Sequence, residues 1–213
     1  MTSCGKSFTR YFTPVFGRKC FPGKRVFFRA AAALLAILVN VQATTVIAPR
    51  FETLVDRAEL IFTGQVIGQR SEWKNNNGQR SIITLVTFAV QQIHKGHAES
   101  TVTLQLLGGT IGDVTLEVAD IPKFKTGERV VLFIEGNGLA ASPVIGFFHG
   151  KFSVRPDASG RDTVLTCRNE PLIDVAELGQ AKRRPVAQES ARALSHEEFS
   201  AKIRERVTAS GRK

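Results

Sequence analysis

The chain has 213 residues, 43% hydrophobic and 23% charged, with a formal net charge of +10. That length and apolar fraction suit one folded domain with additional segments. They exclude a disordered, collagenous or polytopic membrane chain. The charge is unevenly spread. Residues 1–43 hold seven basic residues and no acid, the stretch from Gln180 onward holds nine basic and four acidic residues, and residues 44–179 hold thirteen basic and fifteen acidic. A duplex-binding domain carries its excess of Lys and Arg on the folded body, so a slightly acidic body argues against nucleic acid as a partner.

Lys6 to Arg29 form a basic lead into the apolar run AAAALLAILVNVQA, and no charge follows until Arg50. This is the order of a secretory signal peptide over residues 1–43, with Val41-Gln42-Ala43 as the small-x-small site and cleavage after Ala43. The rival expectation is an uncleaved N-terminal anchor, although Asn40 and Gln42 interrupt a run already short for a spanning helix. Cleavage would remove Cys4 and Cys20, leaving Cys167 without an internal disulfide partner. Cys167 is expected as a small, buried or half-buried strand residue.

Phe51, Leu54, Val55 and Ala58 recur at helical spacing, which predicts a short amphipathic helix. Then strands are expected: ELIFTGQVIGQRSEW, the Asn75–Gly78 hairpin turn, SIITLVTFAVQQI, STVTLQLLGG, DVTLEVA, ERVVLFIE, PVIGFFHG, KFSVRP and DTVLTC. Short strands with turn signals about every ten residues indicate a sandwich or small barrel. Gly64, Gly68 and Gly146, inside expected strands, imply bulges or close backbone packing. The barrel domain is placed at residues 44–167 and an irregular basic tail at 168–213. Within the tail, Ser195 and Glu198 make a capping box, and Phe199, Ile203 and Val207 give one apolar stripe, so an amphipathic helix docked on the body is expected. Glu198 and Lys202 stand at the spacing of an ion pair.

No nucleophile elbow, zinc-protease helix, phosphate loop or dinucleotide fingerprint is present in the sequence. His94 and His97 have His-x-x-His spacing and are the weak candidates for a metal, which would need further ligands to converge, such as His149 or nearby acids. A turn reading is preferred for both, His149 is expected at a turn or edge, and His196 is expected exposed. Trp73, Phe147 and Phe148 are the candidate aromatic binding surface. No cofactor is implied.

The runs ATTVIAPRFETLVDRAELIFTGQVIG, IHKG, TVTLQLLGG, FKTGERVVLFIE and GFFHGKFSV carry a resemblance. Its fixed points are Ala58-Glu59, Gly64-Gln65-Val66, Lys95-Gly96, and Phe124 with Gly127-Glu128 and Val130 to Phe133. Over about residues 50–155 the chain resembles exported bacterial domains related to the netrin/TIMP-like OB-fold. The resemblance implies a mainly β protein, a small OB-like β-barrel with a short N-terminal helix and a C-terminal helix. The animal inhibitors in that group chelate zinc through a mature N-terminal Cys, whereas here Thr44 would be first. Inhibition by that route therefore has no residue to carry it. The function expected is an exported, non-enzymatic module binding a protein or cell-envelope component, secreted or periplasmic, with strand addition at a sheet edge as the physical route. The alternatives are a membrane-anchored accessory protein of an envelope complex, and a metal-dependent hydrolase using His94 and His97.

Overall fold

The computed structural model describes residues 48–76, 78–180 and 192–211. The signal or anchor segment with its cut at Ala43, and the basic run Lys182–Pro185, lie outside the described residues. Among the described residues no helix is long and apolar enough to cross a membrane.

The fold is mainly β. Helix α1 (Phe51–Arg57) leads into β1 (Leu60–Asn76), β2 (Gln79–Lys95), β3 (Thr101–Leu107), β4 (Gly109–Ile111), β5 (Val114–Leu116), β6 (Arg129–Ile134), β7 (Lys151–Pro156) and β8 (Asp162–Leu165). A 3-10 turn (Val175–Glu177) and helix α2 (His196–Ser210) follow. Six strands form one antiparallel sheet ordered β3-β2-β1-β6-β7-β8, and β4 and β5 form a separate hairpin. The ladder is an open sheet ending at β3 and β8.

Period-two alternation sends β1 and β6 side chains into two cores. Ile61, Val131 and Phe133 join Phe51, Leu54, Phe152, Phe199 and Ile203 on the helix-covered side. Phe62, Val130, Leu132 and Ile134 join Val86, Phe88, Leu104, Leu106 and Phe124 on the other. The Phe199 ring stands 5.0 Å from Phe152, 6.1 Å from Phe51 and 6.3 Å from Phe133, so the stripe of α2 seals the first core. The capping box forms: Ser195 Oγ accepts from the Glu198 amide at 3.1 Å, and Glu198 Oε2 accepts from the Ser195 amide at 2.6 Å. That use of Glu198, together with Arg161 and Arg192 beside it, replaces the expected pair with Lys202.

Three skips in the β1–β2 register leave Ile67, Gln91 and His94 without partners, and these bulges coil the long hairpin. Gly64 is there for closeness, since a Cβ would lie 2.9 Å from the Ala89 carbonyl oxygen, whereas nothing crowds Gly68. PVIGFFHG is not a strand. It meets β6 at the Ile134–Val144 bridge, turns because Gly146 and Phe147 both adopt a φ of 64°, and returns to β6 where the Phe133 amide donates to the Gly150 carbonyl. DVTLEVA is ordered as strand only at Val114–Leu116, and DTVLTC stops at Leu165.

Candidate functional site

His94 is the extra residue of a bulge: Ile61 pairs with Lys95 and Phe62 with Ile93. A bulge re-aims one side chain, and here it brings the His94 ring to Thr63. Thr63 Oγ1 lies 2.8 Å from His94 Nε2 and 2.9 Å from His196 Nε2, at the first turn of α2. A hydroxyl has one proton, so it donates to one imidazole and accepts from the other. His94 Nδ1 is buried without a partner. Buried orphan N–H groups are the rarest unpaired atoms, so the less costly arrangement has His94 Nε2–H donating to Thr63 and Thr63 donating to His196 Nε2. His196 then carries its proton on Nδ1.

Both rings are neutral at pH 7. Burial pulls His94 down to about 4, with His196 and Arg204 acting in the same direction. His196 is lowered mainly by burial, then by Arg129, while Asp162 and Glu197 oppose. Beside this network a cavity of about 420 Å³ is lined by Gln92, Arg161, Asp162, His196, Ser200 and Arg204, among others. His196, Ser200 and Arg204 recur every four residues on α2 and form a polar stripe next to the apolar one. The expected exposure of His196 is thus corrected: it is half-buried and bonded across the helix–sheet interface.

The His-x-x-His pair does not converge. His94 is buried in this network and His97 is exposed. His149 lies in the β6–β7 turn, where its Nδ1 is 3.9 Å from Cys167 Sγ and its ring stacks 4.3 Å from Phe148. No group of three or more His, Cys, Asp or Glu among the described residues is placed to hold a metal ion. Burial pushes the Cys167 thiol up and lowers His149, so the pair rests as thiol and neutral imidazole rather than as an activated nucleophile.

A second cavity, about 340 Å³, opens on the other face. Val86, Leu106, Leu116, Ile121 and Phe124 make its floor and walls, and it reaches Gln69 on β1. The β4–β5 hairpin and the Glu117–Lys123 ion pair (2.9 Å) stand at its rim.

Next to that cavity runs an open sheet edge. Ile82 opposes Trp73, and the Ile82 carbonyl accepts from the Gly108 amide, on the β3 side. Trp73 and Ile82 are therefore a non-hydrogen-bonded pair, and the main chain of Trp73 faces away from β2. By alternation so do Gln69, Ser71 and Asn75. β6 pairs with β1 only from Leu60 to Gln65, so these four residues have no ladder partner on that side. The true edge strands are covered. Asn137 Nδ2 donates to Thr103 O, Asn137 Oδ1 accepts from Gln105 N, and Leu107 N donates to Ala141 O on β3. On β8, Val164 N donates to Leu194 O and its carbonyl accepts from Leu172 N.

Trp73 is 38% exposed on this edge, with Arg80 stacked 4.3 Å over its ring. Phe147 is 43% exposed, but it sits in the β6–β7 turn beside Phe148, and no ring contact joins either to Trp73. The three aromatics do not form one surface. No family model, curated protein or solved structure matches the chain.

Proposed function

We propose that this chain is an exported module of OB-like build that binds an extended segment of a partner protein along the outer edge of β1. The observation that carries the reading is the outward main chain of Gln69, Ser71, Trp73 and Asn75 beside the apolar cavity. An added strand takes its affinity from main-chain hydrogen bonds and its specificity from pockets for alternate side chains. The 340 Å³ cavity suits one apolar side chain with room to spare, and its Thr110 and Thr115 rim suits the flanking peptide. The OB-like reading is supported by the bulged, coiled β1–β2 hairpin and by residues 137–144, which bond both to β3 and to the end of β6. Export rests on the N-terminal sequence.

The test uses Gln69→Pro against Gln69→Ala. A photo-crosslinker at Asn75 captures the partner from the host's exported proteins, and the crosslinked segment is then made as a peptide. Binding should survive Gln69→Ala and fail with Gln69→Pro. Amide exchange should slow at Gln69, Ser71, Trp73 and Asn75. Equal binding by the two variants, unchanged exchange at those amides, or a second copy of the chain on the edge would each overturn the reading.

A further inference from the structure

We infer that the cavity between α2, Gln92 of β2 and the start of β8 is a binding site for a phosphate group, free or esterified. The residues around it hold a surplus of hydrogen-bond donors without acceptors. Ser200, 2% exposed, lines the cavity and its buried Oγ has no partner. Arg161 Nη1 is likewise buried and unbonded, with Glu198 Oε2 no nearer than 3.8 Å. The Arg204 guanidinium makes no ion pair among the described residues, yet its charge reaches both histidines. The His196 ring spends Nε2 on Thr63, which leaves the Nδ1–H. Four residues carrying donors of three chemical types line one concave space, and an oxyanion can accept from each donor that turns toward it.

The acceptors on the same wall choose among oxyanions. Asp162 is engaged by Arg129, while Glu197 carries no ion pair among the described residues. A protonated phosphate oxygen can donate to Glu197 or to the second oxygen of Asp162. Sulfate has no proton to give, and against it the two carboxylates only repel. The groups facing His196 are His94 on β2, Arg129 on β6, Asp162 on β8, and Glu197 and Arg204 on α2. An anion added among them favours the imidazolium, so binding takes up a proton and strengthens as pH falls from 7 toward 6.

The test follows the imidazole resonances of His94 and His196 by NMR in the full chain, titrated separately with inorganic phosphate, glycerol 3-phosphate and sulfate. Phosphate or its ester should shift His196 and raise its titration point. Whichever of the two binds more tightly identifies a free or an esterified ligand. Sulfate should bind at least about tenfold more weakly. Arg204→Gln, at an exposed position, should weaken phosphate binding about tenfold, and Ser200→Ala should weaken it severalfold while leaving the free protein folded. No shift of His196 with either phosphate, equal binding of sulfate, or undiminished binding by Arg204→Gln would overturn the assignment.

Discussion

The open edge of β1 makes a sharp prediction for two proline substitutions three residues apart. Glu72 opposes Ile83 in a hydrogen-bonded pair, so Glu72→Pro removes an amide that donates across the ladder. Ile83 is 4% exposed, and its carbonyl would lose its partner where water cannot replace it. The lost bond and the orphaned acceptor together cost about 2–3 kcal/mol. Gln69 has its amide on the outer side, where no ladder bond is broken, and proline is tolerated at such edge positions. Gln69→Pro should therefore stay within about 0.5 kcal/mol of the parent. For a domain of this size the first change lowers Tm by about 5–10 °C and the second by 2 °C or less, at roughly 2–4 °C per kcal/mol. Thermal unfolding followed by circular dichroism, with Glu72→Ala and Gln69→Ala as controls for the side chains, reads the difference. Equal losses at the two positions would refute the strand parity and, with it, the free edge.

Burial of His94 makes the fold pH-dependent. Its folded pKa is about 4 against 6.5 when unfolded, so the unfolded chain binds the proton more readily. Stability from this group is complete above about pH 6.5 and is lost as pH falls toward 4. The loss amounts to about 2–3 kcal/mol after allowance for solvent screening, and urea titrations across that window should show a shallower slope in His94→Gln, the remainder coming from His149 and His196, which burial also lowers. Phe199→Ala empties the centre of four packed rings and should cost about 3–5 kcal/mol in chemical denaturation; a loss under about 1 kcal/mol would mean α2 is not part of the core. Ser200→Ala removes a buried hydroxyl with no partner, so the unliganded protein should gain up to about 1 kcal/mol, and a clear loss would show that the hydroxyl is bonded.

The legible parts of this fold were those governed by local pattern. The helix at Phe51, the long β1–β2 hairpin, β6 and the Ser195 cap are all visible as spacing and capping chemistry. PVIGFFHG misled because its apolar composition suits a strand, while the left-handed backbone at Gly146 and Phe147 makes it a turn. The candidate site was far less visible. His94 reaches Thr63 because a bulge displaces it by one residue in the register, and no residue type marks that skip. His196 was hidden for a different reason. At the first turn of a helix it looks solvated, and only the docking of α2 over the sheet carries it to Thr63. The i, i+4, i+8 stripe of His196, Ser200 and Arg204 is the one available signal, and it lies beside a stronger apolar stripe that dominates the pattern. The outward edge of β1 depends on where β6 stops pairing, a tertiary fact with no local signature.

The two stripes of α2 do different physical work. An apolar stripe at Phe199, Ile203 and Val207 repeats every four residues, so sliding the helix by one turn, about 6 Å, still presents apolar residues to the core. Packing resists that slip through the space of Phe199 that Ile203 would leave empty, and the polar contacts add to that resistance. The polar contacts do not repeat. A slip of one turn would set Ser200 or Arg192 opposite Thr63, and it would part Arg206 and Ser210 from Asp56 at the other end of the helix. Contacts that do not repeat favour one register, and the buried ones around Thr63 do so at some cost in stability. Here the cost is visible as His94 Nδ1, Arg161 Nη1 and Ser200 Oγ, all buried without hydrogen-bond partners. The register that the Thr63 and Asp56 contacts fix is also the one that holds His196, Ser200 and Arg204 around a single cavity.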